Sequence, residues 1–467
     1  MVRVITQETY DEIVKENMDE FDMSPEEAIK EAIAQFEAQG VDLSNIIKDL
    51  TLKAGEEHLV SSSVKRLKEL TNSMPRNYQL ILEQLDILMV ECNKDIAHRV
   101  RAGKDGAYTI LIDLLDAKQE AYSQDENVKD EEFILKILNT LISLMDSQPD
   151  LLEQRGVSLI KSNLDKIQNE AILVATLKWT NVCCVKHEMN RQMIMASNVK
   201  ENFESLLKKN HNKKLLSETL QLIRRFTLDD DVRVEFGKAH VHARELGMQL
   251  LESLTKLLEK NTKPPEVSEL MLTIASLLVR HELCAMVADS GATVLFTILA
   301  DNYDNVSVIQ QACKLITALA GNDDVKRQLV RSGIVPIIVS LLTRYSNNAT
   351  TSALTLKCVA ALTLREPAHS KEFLENGAPE AIVEVLKVHQ DVATVQKNGC
   401  WAIRNMVARC RDHNTKFKEL GIEAILNRSL EKFGKDFDFD IKSALRDLEC
   451  DVKLDEQWTG KGVHMEK

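Results

Sequence analysis

Apolar residues recur three and four positions apart along most of the chain, with polar residues between them, which is the periodicity of amphipathic helices. In DDVKRQLVRSGIVPIIVSLL (323–342) a short helical pattern is followed by a glycine and a second apolar helical pattern. HSKEFLENGAPEAIVEVL (369–386), NTKFKELGIEAILNRSL (414–430) and HELCAMVADSGATVLFTIL (281–299) repeat that order. A third, longer apolar helix follows in VIQQACKLITALAG (308–321), ALTLKCVAALTL (353–364) and VQKNGCWAIRNMVA (395–408). The predicted joints are Gly291, Gly333, Gly377 and Gly421, spaced by 42, 44 and 44 residues. Gly106, Gly156 and Gly247 continue the frame upstream, and Asn198 stands where another glycine is expected. Asn is the next-best residue at a positive-φ turn.

About eight units are predicted between 92 and 452, irregular at 229–247, where FGKAHVHAREL (236–246) lengthens a first helix. One triplet of short helices cannot bury its own apolar faces, but stacked triplets share a continuous core. The period, and the glycine after a separate short first helix, fit armadillo rather than HEAT repeats. The fold class expected is all-α, a right-handed armadillo superhelix (α-solenoid) with an N-terminal helical extension. The Asp-rich stretches DDDVR (229–233) and NDDVK (322–326) are predicted at helix N-termini, where carboxylates meet unpaired N–H groups.

A different region precedes the array. In MSPEEAIKEAIAQFEAQG (23–40), Ser24 is a predicted N-cap, Pro25 the first helical residue, Glu27 the partner in a capping box and Gly40 the stop. Residues 6–20 form another helical pattern. The organisation expected is an acidic helical region at 1–50, a linker with leading helices at 51–91, the repeat array at 92–452 and a tail at 453–467.

These blocks carry a resemblance that goes beyond a repeat class. QETYDEIVKENMDEF (7–21), SPEEAIKEAIAQFEAQGVDLSNI (24–46), DDDVRVEFGKAHVHA (229–243), AGNDDVK (320–326), ALRDLECDV (444–452) and WTG (458–460) resemble the armadillo repeat-containing protein 6 family along essentially the whole chain. The resemblance implies an armadillo superhelix and an interaction protein without catalytic chemistry, and it supplies no partner.

Composition narrows the function. A net charge of −13 over 467 residues leaves nothing overall to displace counterions from phosphates, so nucleic acid is not expected as the main partner. The nine cysteines are scattered without a CxxC pair, no apolar run is long enough to span a membrane, and the N-terminus has no signal-peptide pattern. A reduced, soluble, intracellular protein is expected, in the cytoplasm and with the nucleus as a second location.

Third helices line the inner surface of an armadillo array, so their alignment predicts what a groove displays. In GCWAIRNMVARC (399–410), Trp401 and Asn405 share one helix face. In a peptide-holding array the Asn amide bonds the peptide backbone and the indole packs on side-chain stems. The column of Trp401 reads Asn139, Lys178, Gln221, Leu272, Lys314, Lys357, Trp401 and Ser443; that of Asn405 reads Ser143, Val182, Arg225, Ser276, Ala318, Ala361, Asn405 and Asp447. The pair therefore occurs once, without the register that successive clamps provide, and residues 1–50 carry 13 acidic against 4 basic side chains, unlike the basic arm of an import receptor. Lys178, Lys314 and Lys357, with Arg224, Arg225, Arg404 and Arg446, instead make a candidate basic stripe that attracts an acidic or phosphorylated extended segment. The acidic N-terminal region, tethered nearby, is a candidate competitor for that groove.

No catalytic constellation emerges. His240 and His242 beside Asp229–Asp231 invite a metal reading, but two histidines at i, i+2 point apart on a helix. Neither HE dipeptide has a histidine four residues on, and the stretches GKDGA and GKG lack the strand and the length of a phosphate loop. The expected function is a non-enzymatic scaffold or adaptor without cofactor or metal, binding an extended segment along the third helices. The alternative is an importin-like adaptor between cytoplasm and nucleus.

Overall fold

The computed structural model describes residues 3–43, 46–48, 58–73, 76–124, 128–209, 212–261 and 263–453. The start of the expected linker (51–57) and nearly all of the expected tail lie outside the described residues. The chain divides into two compact units, Met1–His242 and Ala243–Lys467.

The first unit opens with helices Gln7–Phe21 and Pro25–Ala38, closed by a two-residue parallel pair, Arg3–Val4 with Val41–Asp42. Ser24 caps the second helix as predicted: its Oγ accepts from Glu27 N–H, and Glu27 Oε2 accepts from Ser24 N–H at 3.1 Å. The Ser24 hydroxyl, donating to Glu27 Oε2 at 2.7 Å, and the Ser24 N–H together hold the Glu27 carboxyl below its ordinary range. Tyr10, Val14, Ala28, Ala32, Phe36, Leu43 and Ile46 form one buried cluster there. Buried Gln7 ties helix to strap, accepting from Ile47 N–H at 2.8 Å and donating to Ile47 O at 3.1 Å.

Helices Tyr78–Cys92, Val128–Met145, Glu170–Cys183 and Lys213–Arg225 then pack side by side in that order. Tyr78–Cys92 thus stands in the row of third helices, paired with Leu59–Asn72, so repeat-like stacking begins before residue 92. In the second unit the row is Pro264–Leu277, Val306–Leu319, Ala349–Thr363, Ala393–Val407 and the end of Ile422–Asp447, which is kinked at Phe437 (φ −153°, ψ 45°). Each unit is an all-α repeat stack, in agreement with the expected class.

Five third helices start from an asparagine whose side chain accepts a first-turn N–H: Asn77, Asn169, Asn212, Asn305 and Asn348. Each cap contributes about 1 kcal/mol and sets the register at which its helix begins. The joints between first and second helices also follow prediction at Gly106 (φ 90°), Asn198 (62°), Gly333 (93°), Gly377 (83°) and Gly421 (79°). At Gly333 the left-handed residue lets its own N–H bond back to Val330 O at 2.9 Å and turns the chain into the next helix.

Three expected joints are not turns. Gly156 lies inside helix Gln154–Lys166, and helices Ala239–Lys260 and His281–Asp301 run through positions 247 and 291. At Gly247 the missing side chain serves packing: a Cβ there would stand 3.0 Å from Leu283 Cδ1 and 3.2 Å from Leu277 O. The DDDVR stretch likewise starts no helix. Residues 228–238 are irregular and fastened to the preceding repeat, where Asp231 Oδ2 accepts the N–H of Glu188 at 2.8 Å and so caps helix Glu188–Ala196. NDDVK behaves as predicted, with Asn322 capping helix Asp323–Arg331.

Candidate functional site

The third helices of the second unit carry most of the predicted site. Cys313 and Cys358 are buried between Val306–Leu319 and Ala349–Thr363, with Cys358 Sγ donating to Cys313 O at 3.0 Å and lying 3.3 Å from Thr317 Oγ1. Their chain neighbours Lys314 and Lys357 stand on the exposed flank of the two helices. Neither lysine makes an ion pair or hydrogen bond among the described residues.

Next along, Trp401 is half-buried and its indole N–H donates to Asp440 Oδ1 at 2.9 Å. Lys397, one turn before it, sits 5.4 Å over the Trp401 ring and 3.8 Å from Asp440 Oδ2. Arg404 stacks 5.8 Å over Phe439, and its Nε lies 3.5 Å from Asp447 Oδ2. Arg446 donates its Nε to Asp447 Oδ1 at 2.9 Å. Sequence reasoning missed Lys397, Asp440 and Phe439. Lys397 was findable as the residue four before Trp401, whereas Phe439 and Asp440 follow a kink that no periodicity announces.

Asn405 has a structural job. Its Nδ2 donates to Ala360 O at 2.8 Å. Ala360 is in the last turn of helix Ala349–Thr363, where carbonyls have no partner within the helix. His369 Nδ1 meets Leu362 O at 2.8 Å and buried Lys326 donates to Leu364 O at 2.9 Å, so three side chains from neighbouring helices close that helix end. Asn398, two turns before Asn405, donates to Ala353 O at 2.8 Å. The amide that would hold a peptide backbone in a Trp–Asn clamp is here a bond between repeats.

The first-unit members of the predicted stripe are countered by acids and amides. Lys178 lies 3.5 Å from Glu218; Arg225 donates to Asn181 Oδ1 at 2.9 Å and faces Asp230 at 3.9 Å; Arg224 is also engaged. The structure therefore brings together Lys314, Lys357, Trp401, Arg404, Asn405 and Arg446 on successive helices and places Lys178, Arg224 and Arg225 in the other unit. The acidic N-terminal region engages a first helix: Asp11 lies 3.8 Å from Arg101 of Ile96–Lys104.

The acidic residues near His240 and His242 bind cations of the chain itself. Arg191, fully buried, lies 3.1 Å from Glu188 Oε2 and donates to Asp230 Oδ1 at 2.6 Å. Arg233 grips Asp231 at 2.9 Å and Asp150 at 3.0 Å. Arg233 is the main reason the Asp231 carboxyl is held well below the usual range. Burial pushes Glu188 up, but Lys238 N–H, Gln192 and Arg191 outweigh it and hold it low. His242 is buried edge-on to Phe226, 6.4 Å between centroids. Burial pushes the Cys184 thiol up to about 12 and Cys183 well above its ordinary value, which leaves the vicinal pair poor in thiolate, the reactive form.

The ARMC6 family model matches residues 60–465, and that of the armadillo repeat-containing protein 6 N-terminal domain matches residues 2–66. The chain is 41% identical over 463 residues to the armadillo repeat-containing protein 6 homolog of Drosophila melanogaster, covering 98% of each. It is 34% identical over 386 residues to armadillo repeat-containing protein 6 of Homo sapiens, covering 79% of this chain and 75% of that one. Among solved structures, an engineered protein aligns with a TM-score of 0.67 at 16% identity, over 96% of this chain and 95% of its own. A chain from work on a phosphorylation switch controlling the interaction between cadherin and beta-catenin aligns with a TM-score of 0.57 at 15% identity, over 82% and 68%. At such identities these two similarities speak for the fold alone.

Proposed function

The chain belongs to the armadillo repeat-containing protein 6 family, and on that premise we propose that it is a non-enzymatic scaffold or adaptor that binds an extended, acidic or phosphorylated protein segment in the cytoplasm. Its armadillo-repeat fold supports protein interaction in general. The observation that carries the finer reading is the unpaired state of Lys314 and Lys357, side by side on third helices of the second unit, with Lys397, Trp401 and Arg404 on the next helix but one from Lys314. Unpaired exposed cations raise the on-rate of an acidic segment, and the aromatic shelf beyond them offers apolar area to its side chains. The solved chain connected with cadherin and beta-catenin has a similar fold, and its phosphorylation-controlled interaction is the analogy for this reading.

Affinity capture from lysate with quantitative mass spectrometry tests it. The wild type is compared with Lys314→Glu/Lys357→Glu and with Lys178→Glu, a lysine already paired with Glu218. The double reversal is expected to lose partners that Lys178→Glu keeps, and those partners elute with rising salt. Identical partner sets for all three proteins overturn the reading.

A further inference from the structure

Three guanidinium groups of the second unit converge on one carboxylate. Asp447, buried at the end of the last third helix, takes Arg446 Nε and Nη2, each at 2.9 Å from Oδ1. Arg404 Nε lies 3.5 Å from Oδ2 and Arg411 Nη2 3.7 Å from Oδ1. Arg411 Nη1 also donates to the Asp447 carbonyl, joined there by Asn414 Nδ2 at 3.2 Å. Asp447 alone leaves two of the three positive charges uncompensated. The C-terminal end of its helix removes a further fraction, roughly half a charge. Further out, Lys418 Nζ donates to the Glu449 carbonyl at 3.1 Å, and Lys397 lies 3.8 Å from Asp440 Oδ2.

The donors are pre-organised. Each guanidinium has five N–H groups in a rigid fork. The inner ones bind Asp447, while the side chains stay 33% (Arg404), 45% (Arg411) and 46% (Arg446) exposed. Phe439, half exposed beneath Arg404, and Trp401 one turn before it give an apolar floor beside the cluster.

We propose that Arg404, Arg411 and Arg446, oriented by Asp447, form the receptor for a phosphorylated serine or threonine of the bound segment. A phosphomonoester carries about −1.5 to −2 charges and three acceptor oxygens, which suits a surplus of this size offered through several forks; a single carboxylate supplies half the charge and one face. The inference rests on the binding reading above and names one residue type within the segment. Lys314 and Lys357 steer any acidic chain, whereas the arginine cluster selects for phosphate.

The test uses the full chain, immobilised, and three degenerate nonapeptide pools with phosphoserine, serine or glutamate fixed at the centre, retention being quantified by mass spectrometry. The phosphoserine pool is expected to be retained about tenfold over the serine pool and clearly over the glutamate pool. Arg404→Gln and Arg446→Lys, the second keeping charge while losing the fork, are expected to reduce that preference to about threefold or less. Circular dichroism confirms that both variants are folded. Equal retention of phosphoserine and glutamate pools, or a preference untouched in both arginine variants, overturns the proposal. If Lys314→Glu/Lys357→Glu still lowers retention of acidic peptides in that case, the broader reading stands. If that variant has no effect either, or no pool is retained, both fall.

Discussion

Asn405 offers the sharpest separation between a peptide clamp and a bond between repeats. Its amide donates to Ala360 O at 2.8 Å, a carbonyl in the last turn of its helix that Thr363 Oγ1 also approaches at 3.5 Å. Replacing Asn405 by Ala removes one neutral hydrogen bond, about 1 kcal/mol, and leaves a partly buried acceptor short of a partner, which brings the cost to roughly 1.5–2 kcal/mol. Asn398 is the internal control. Its acceptor, Ala353 O, belongs to the body of the helix and already takes an intrahelical bond, so Asn398→Ala is expected to cost only about 0.5 kcal/mol. The two sites are two turns apart, about 10 Å, so their effects should add in the double variant. Urea denaturation of the full chain, followed by far-UV circular dichroism, reads the shift in the transition of the second unit. Affinity for an acidic partner is then measured at a urea-free condition where all variants are folded. A drop in stability with affinity within about twofold is expected for Asn405→Ala. Unchanged stability with tenfold weaker binding would refute this assignment and restore the clamp.

Other consequences follow from the buried ionic network and the joints. Arg191→Met strands Glu188, which is 1% exposed, and Asp230; the expected cost is about 3–5 kcal/mol, with faster amide exchange across 229–238, and a cost under about 1 kcal/mol would show that the network does not anchor this loop. Asp231 and Glu188 are both held below their ordinary values of 3.8 and 4.5, so their contribution is fully present above those values and is lost as pH falls through the lower folded ones. The gap in urea midpoint between wild type and Asp231→Asn should therefore begin to narrow as pH falls below about 4 and keep narrowing at lower pH; a gap that stays constant as the pH is lowered contradicts the linkage. Gly333→Ala places a side chain at φ 93° in open space, so its cost is backbone strain alone, roughly 1–2 kcal/mol in the urea midpoint.

The periodic helices, the glycine or asparagine joints at 106, 198, 333, 377 and 421, the Ser24 capping box and the family were legible in the residues, because each depends on interactions within a few positions of the chain. Composition likewise bounded the fold class. Where the same letters serve long-range contacts, local reading failed. Gly247 looked like a turn and is a point of close packing; DDDVR looked like a helix start and is a loop that caps a helix 43 residues earlier. The basic stripe shows the same limit. Side-chain type and helical register put seven cations in a candidate stripe, but a charge is available to a ligand only if no neighbour from the next repeat neutralises it. Glu218 and Asp230 remove Lys178 and Arg225 from that set, while Lys314 and Lys357 remain. Three arginines meet at Asp447 because a kink at Phe437 turns the final helix beside its neighbour. Helix propensity and capping are properties of adjacent residues and can be read along the chain. Charge balance at a surface is a sum over residues about forty apart, which only the packing of one repeat on the next brings within reach.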